Sequence, residues 1–340
     1  RPMSEPVRSV LVTGATGFIG RALTPILGAL DWQLRQVGRL PYGAANPNAQ
    51  TIECDALPLE TLVEGCEVVI HLAGRAHVMK ERETHPLQAY RDSNVNQTLA
   101  LAQAAQRAGV RRFIFISTAK VLGEGQCTRR IDAHAPYYDA SSTGTLPLAY
   151  SEADTPNPQD FYALSKWEAE QALATVARES KMEMVIIRPP LVYGPGVKGN
   201  FKSMVSWVKR GIPMPLGAIN NLRSMVALEN LVDFIALCAD QVRSPCAANE
   251  TFLISDTQDV STTALLEKIA TAYKKTSRLI PLPEGMIKLL GNLIGQGAAI
   301  DRLLGSYRVS AEKAQSTLGW QPVITMDEQL KKMALHDSAV

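Results

Sequence analysis

The chain has 340 residues, 46% hydrophobic and 20% charged, with a mean hydropathy of −0.03, which excludes a disordered tail, a collagen-like fibre and a coiled coil. Lys and Arg number 35 against 33 Asp and Glu, a net +2 with no long basic block, so no nucleic-acid partner is expected. The most apolar stretch, Met286–Ile300, is interrupted by Lys288, Asn292, Gln296 and glycines, so no integral membrane segment is expected either.

Taken in chain order, the first half alternates strand and helix. Val7–Thr13 reads as a strand leading straight into a glycine loop and not as a signal segment. Phe18–Leu30 reads as helix, Trp32–Val37 and Gln50–Cys54 as strands, and Leu57–Glu64 as a short helix. Glu67–Leu72 is a strand, Pro86–Ala108 one long helix, Arg111–Ser117 a strand, Gln159–Glu179 a helix and Met182–Arg188 a strand. This order predicts an α/β fold, a Rossmann-like doubly wound parallel sheet. Val68–Ile70 and Phe113–Ile116 are almost wholly apolar, as strands covered on both faces must be. After Arg188 the texture changes, because Pro189, Pro190, Gly194, Pro195, Gly196 and Gly199 interrupt regular structure. A smaller C-terminal α/β substrate lobe is expected from about 190–220 and 258–338, with 7–189 and about 221–257 forming the dinucleotide-binding domain. The polar stretch Glu124–Pro158 is long for a loop and reads as functional or disordered. Five scattered cysteines without CxxC spacing predict reduced thiols in a cytoplasmic protein, and no metal site.

Gly14, Gly17 and Gly20 lie between the first strand and the first helix. Glycines there let the backbone approach a pyrophosphate, and the helix N-terminus offers free N–H groups. Thr16, Phe18 and Ile19 complete that loop. About 20 residues on, where an acidic residue would read the ribose hydroxyls of NAD, the chain carries Arg39. Arg39 suits the 2′-phosphate of NADP(H), with NAD(H) possible if it is only a solvated charge. Asp55 and Ala56 follow the third strand, placed to meet the adenine or, alternatively, to cap the next helix. His71 reads as a packed strand-end histidine, and Leu72, Ala73 and Gly74 as small residues against which a cofactor can lie.

Tyr162 and Lys166 are four apart near the start of a strong helix and share one face. A free phenol titrates near 10, and a neighbouring ammonium favours the phenolate, which general acid–base chemistry near neutrality needs. The strand Phe113–Ile116 ends in two hydroxyls, Ser117 and Thr118.

With these motifs in hand, the chain resembles the extended short-chain dehydrogenase/reductases of the sugar-nucleotide epimerase/dehydratase/reductase group, from Val7 to about Leu335. The resemblance rests on Thr13–Gly20, His71–Gly74, Asn94-Val95-Asn96, Ser117–Val121, Tyr162–Lys166 and Arg188–Pro195. It implies that Thr118, Tyr162 and Lys166 are catalytic, and that Ser117 and Pro189 lie beside the nicotinamide. It also makes Asn94, by itself a surface residue, an organiser of the site. In the smaller lobe it points to Asn200 as a sugar contact and to Arg223, with Arg302 or Arg308, as ligands of a substrate diphosphate, a role guanidinium suits. Val121-Leu122-Gly123 stands where the group usually has Val-Tyr-Gly.

Within the group, His71–Met79, Ser165–Glu170 and Lys198–Phe201 look most like reductases of surface-polysaccharide (O-antigen) pathways. Those reduce the C4 ketone of a UDP-4-keto-6-deoxy-N-acetylhexosamine with NAD(P)H. The alternative is a UDP-hexose or UDP-N-acetylhexosamine 4-epimerase holding its NAD tightly. A dehydratase fits less well, since Ala119-Lys120 replaces the usual Asp-Glu. A non-catalytic dinucleotide-binding scaffold is disfavoured because both Tyr162 and Lys166 are present. The two longest helices of the first half carry apolar residues beyond one stripe, Leu87, Val95 and Leu99 on one, Phe161, Leu164, Trp167 and Leu173 on the other. That surplus predicts a homodimer.

Overall fold

The computed structural model describes residues 8–39, 49–75, 84–125, 127, 148–293, 295 and 297–339. Seven parallel strands form one sheet in the order β3-β2-β1-β4-β5-β6-β9. They are β1 (Ser9–Thr13), β2 (Gln33–Gly38), β3 (Ala49–Glu53), β4 (Val68–His71), β5 (Arg112–Ile116), β6 (Glu183–Arg188) and β9 (Thr251–Leu253). β7 (Leu191–Tyr193) and β8 (Met225–Ala227) pair in parallel apart from it. The proline- and glycine-rich segment after Arg188 thus contains a short strand that composition did not indicate.

Alternation within each strand divides the core. Val10 and Val12 of β1, with Ile70 and Ile114, face Leu23 and Leu27 of α1 (Phe18–Ala29), all fully buried. Leu11, Val69, Phe113 and Phe115 face the other way. There they meet Leu62 of α2 (Leu59–Val63) and Leu101 of α4 (Gln97–Arg107), which follows α3 (Pro86–Arg91). Leu173 of α5 (Phe161–Arg178) packs with them. Such two-sided cover is what a parallel sheet requires.

A second core is centred on Phe201 and Val205 of α6 (Gly199–Lys209), with Tyr193, Met225 and Ala227 of the small sheet. α7 (Leu228–Ala239) returns to the large sheet, where Leu231 and Phe234 join the α1 face. α8 (Thr262–Ala272) adds Leu266 and Ile269 to the second core. α9 (Glu284–Leu293) and α10 (Gly297–Leu304) add Ile287 and Leu304. α11 (Glu312–Leu318) turns back to the large sheet through Ala314, and α12 (Met326–Ala339) closes the second core with Met326 and Leu330. The buried Asp256 carboxylate ties the two regions, accepting from Tyr193 Oη at 2.6 Å, Ala227 N at 2.8 Å and Asn230 Nδ2 at 2.7 Å.

The long helix expected over Pro86–Ala108 is interrupted. Between α3 and α4 runs one π-helical turn, Asp92–Asn96, and wide turns of this kind re-aim side chains. Most of Glu124–Pro158, and His77-Val78-Met79 with it, lies outside the described residues. Among the described residues no helix is long and apolar enough to cross a membrane, and no three His, Cys, Asp or Glu side chains gather as a metal site.

Candidate functional site

The strand order reverses between β1 and β4, and ligands of open α/β sheets bind outside the carboxyl ends of the strands at such a point. The glycine loop sits there. Gly14 has φ +70°, and a Cβ on it would come within 2.7 Å of Ala73 N, so only glycine lets the loop lie against the end of β4. Gly17 N donates to Gly14 O at 2.9 Å, and Gly17 enters α1 with no side chain capping the helix. The first-turn N–H groups, at Phe18 and Ile19, therefore suit an anion. Thr16 Oγ1 accepts from Arg39 N at 3.1 Å, tying the loop to the exposed Arg39 at the end of β2.

Asp55 lies at the same rim in a left-handed turn, φ +65°, and Ala56 N donates to Glu53 O at 3.2 Å. The cap alternative for Asp55 does not hold, since α2 starts at Leu59 after Pro58. Arg39, Cys54 and Asp55 are electrostatic neighbours: burial and then Asp55 raise the Cys54 thiol, with Arg39 opposing.

His71 is packed. Its Nδ1 lies 2.6 Å from Thr13 Oγ1 and its Nε2 2.9 Å from Thr98 Oγ1, with Phe115 stacked at 6.0 Å. Burial and then the Lys166 charge push its pKa down to about 3, so the ring is neutral. Beyond it, Leu72 N donates to Thr13 O at 3.1 Å, and a Cβ on Gly74 would meet Asn94 Oδ1 at 2.8 Å. Asn94 is 1% exposed, turned inward by the π turn. It accepts from Arg75 N at 2.7 Å and donates to Arg75 O at 3.1 Å and Ser165 Oγ at 2.9 Å. That one side chain joins the exit of β4 to α5.

Lys166 is buried. Its Nζ donates to Ile116 O at 2.8 Å and lies 4.4 Å from the centre of the Phe115 ring. Burial pulls its pKa down to about 8, with Glu170 opposing. Tyr162, half-buried, is 6.3 Å from Tyr90 between ring centres. Its phenol is not lowered as the i, i+4 spacing predicts. Burial raises it, and Asp160 and Tyr90 add to the rise, while the Lys166 ammonium is engaged by the Ile116 carbonyl.

Thr118 is buried and caps the 3₁₀ turn Ala119–Leu122, its Oγ1 accepting from Lys120 N at 3.3 Å. Ala119 N donates to Pro189 O at 2.9 Å, which brings Pro189 beside the same turn. The Ser117 hydroxyl donates to the buried Glu170, which Arg188 clamps through Nε at 3.0 Å and Nη2 at 2.5 Å. Sequence reasoning did not single out Glu170; its signal was position, four residues after Lys166 on the same helix face.

On the second-core side, Arg223 Nη1 donates to Arg302 O at 2.5 Å and Gly305 O at 3.2 Å, and burial lowers its pKa. Arg223 and Arg302 thus meet at the C-terminal end of α10, where Arg302 Nε lies 3.3 Å from Glu124 Oε2. Arg308 is engaged by Asp259 at 2.5 Å, and Asn200 is exposed in the first turn of α6. Tyr307, overlooked in the sequence, carries a buried hydroxyl with no partner among the described residues.

Residues 10–254 match the model of the NAD dependent epimerase/dehydratase family. Over 337 residues the chain is 39% identical to a UDP-glucose 4-epimerase of Vibrio cholerae, covering 96% of this chain and 94% of that protein. It is 25% identical over 284 residues to the N-acetyl-alpha-D-glucosaminyl-diphospho-ditrans,octacis-undecaprenol 4-epimerase of Escherichia coli O157:H7, covering 82% and 77%. UDP-glucuronic acid 4-epimerase from Bacillus cereus in complex with NAD has the same fold, with a TM-score of 0.74, 19% identity and coverage of 97% and 99%.

Proposed function

The chain belongs to the NAD dependent epimerase/dehydratase family, and within it we propose that it interconverts the C4 epimers of a UDP-linked hexose or N-acetylhexosamine. The observation that carries this reading is the 39% identity, over nearly the whole of both chains, to a UDP-glucose 4-epimerase. The reductase reading of the sequence gives way to it.

The uncapped N-terminus of α1 and the close-packed Gly14 fit a dinucleotide pyrophosphate. In this reading Gly14, Thr16, Gly17, Phe18 and Ile19 hold it. Arg39, Asp55 and Ala56 line the adenosine end, and Leu72, Ala73, Gly74, Ser117 and Pro189 the nicotinamide end. NAD, when bound, supplies a hydride acceptor and donor at C4. The chain's own part is the proton. Tyr162 takes it from the C4 hydroxyl and returns it, Thr118 orients that oxygen, and Lys166 steadies the phenolate. Asn200, Arg223 and Arg302 take the sugar and the diphosphate, and Asn94 holds the site's walls together. The enzyme works as a cytoplasmic homodimer.

Arg39 supports a second reading, a 4-keto reductase using exchangeable NADPH. Its exposed guanidinium at the end of β2 suits a 2′-phosphate.

Purified protein incubated with UDP-galactose and no added nicotinamide nucleotide should yield UDP-glucose by NMR. Tyr162→Phe should lower kcat about a thousandfold. Absence of epimer, with NADPH consumed on a UDP-4-keto-6-deoxy-N-acetylhexosamine, would establish the reductase instead. Arg39→Asp should then move cofactor preference toward NADH.

A further inference from the structure

Thr118 and Tyr162 come from different elements, and a lysine spans them. Lys120 is the second residue of the 3₁₀ turn that Thr118 caps. Its Nζ donates to Asp160 Oδ2 at 2.5 Å and lies 2.8 Å from Glu124 Oε1. The other Asp160 oxygen, Oδ1, accepts from Ala163 N at 2.7 Å and so caps α5 in the turn that carries Tyr162. At the far end Arg302 reaches Glu124 Oε2 at 3.3 Å. Charge therefore alternates from α10 to α5: Arg302, Glu124, Lys120, Asp160, then the positive end of the helix dipole.

Burial opposes ionisation of Tyr162, and the Asp160 carboxylate adds to that opposition. Among the described residues Tyr90 on α3 adds to the rise, and Lys166 stands four residues on along the same helix. Asp160 and Glu124 keep Lys120 protonated against its partial burial.

We propose that Lys120 is a positioning residue of the candidate site. By holding Asp160 it fixes the first turn of α5 against the Thr118 turn, and it screens Tyr162 from the Asp160 carboxylate. This rests on the reading of Tyr162 as the acid–base residue.

The test is the pH profile of kcat/KM with UDP-galactose for wild type and four variants. Lys120→Met should move the limb set by phenol ionisation to higher pH by about one pH unit. It should also lower kcat about tenfold, with KM within about twofold. Asp160→Asn keeps the helix cap, because Asn caps as well as Asp, and should move the same limb to lower pH. The double variant should return toward wild type, and Lys120→Arg should restore kcat. A merely structural lysine would lower thermal stability without opposite displacements of the limb. Coincident profiles, or shifts of one sign in both single variants, overturn the proposal while leaving the role of Tyr162 intact. A Tyr162→Phe enzyme that still turns over removes the site reading itself, and the proposal with it.

Discussion

Glu170 is 2% exposed, and its carboxyl group is matched by the two-point contact with Arg188 and the Ser117 hydroxyl. Removing one member of such a pair strands the other in a low-dielectric interior. Glu170→Gln should therefore destabilise the fold by about 3–5 kcal/mol, read by urea denaturation. A loss below about 1 kcal/mol would mean that Arg188 finds water instead. His71 gives a pH signature. Folded, it stays neutral down to about 3, whereas an unfolded imidazole takes a proton below 6.5. The unfolded state then binds the extra proton, so stability tied to His71 is intact above 6.5 and lost as pH falls through that window. His71→Gln should flatten the fall of Tm below pH 6.5, and an unchanged slope would assign acid sensitivity elsewhere.

At the scale of elements, what could be read in the sequence is what short-range physics dictates. The glycine loop, the apolar strands β4 and β5 and the helix carrying Tyr162 follow from backbone freedom, two-sided burial and local helix propensity. Arg112 shows the limit: it is fully buried inside β5, and its guanidinium is absorbed by Cys238 O at 2.6 Å and Ser244 O at 3.1 Å, more than a hundred residues away. The π turn was illegible for a related reason. Asp92–Asn96 is a run of weak helix formers, but its extra width goes with the contacts of Asn94 with Arg75 and Ser165, which no local pattern announces. Asn94→Leu removes the hydrogen bonds to Arg75 N, Arg75 O and Ser165 Oγ. It should cost about 1–3 kcal/mol and raise hydrogen exchange at the start of α5. Exchange unchanged there would mean that the π turn stands without its asparagine.

For the whole molecule, the sheet, its two covered faces and the second core put the pairs Arg39–Asp55, Tyr162–Lys166 and Arg223–Arg302 at three separate places. In the proposed reading a dinucleotide spans the first two and a UDP-sugar the last two, so the site is assembled from segments far apart in the chain. Assembly is equally non-local. Trp167 and Leu173, counted in the sequence as spare apolar surface, are spent inward, Trp167 beside Arg188 and Leu173 fully buried. Phe161 remains 49% exposed, while Val95 and Leu99 are half-buried. A dimer of the 37.0 kDa chain is the expected mass in light scattering at micromolar concentration, and a monomer mass would show that these residues need no second copy.

An epimerase must take hydride from C4 and return it to the same carbon, whereas a reductase consumes a fresh hydride in each turnover. UDP-galactose deuterated at C4, incubated with the purified protein in ordinary water without added nucleotide, separates the two. UDP-glucose retaining the deuterium at C4 is the expected product. No conversion, or product formed only when NADPH is added in stoichiometric amount, would contradict the epimerase reading.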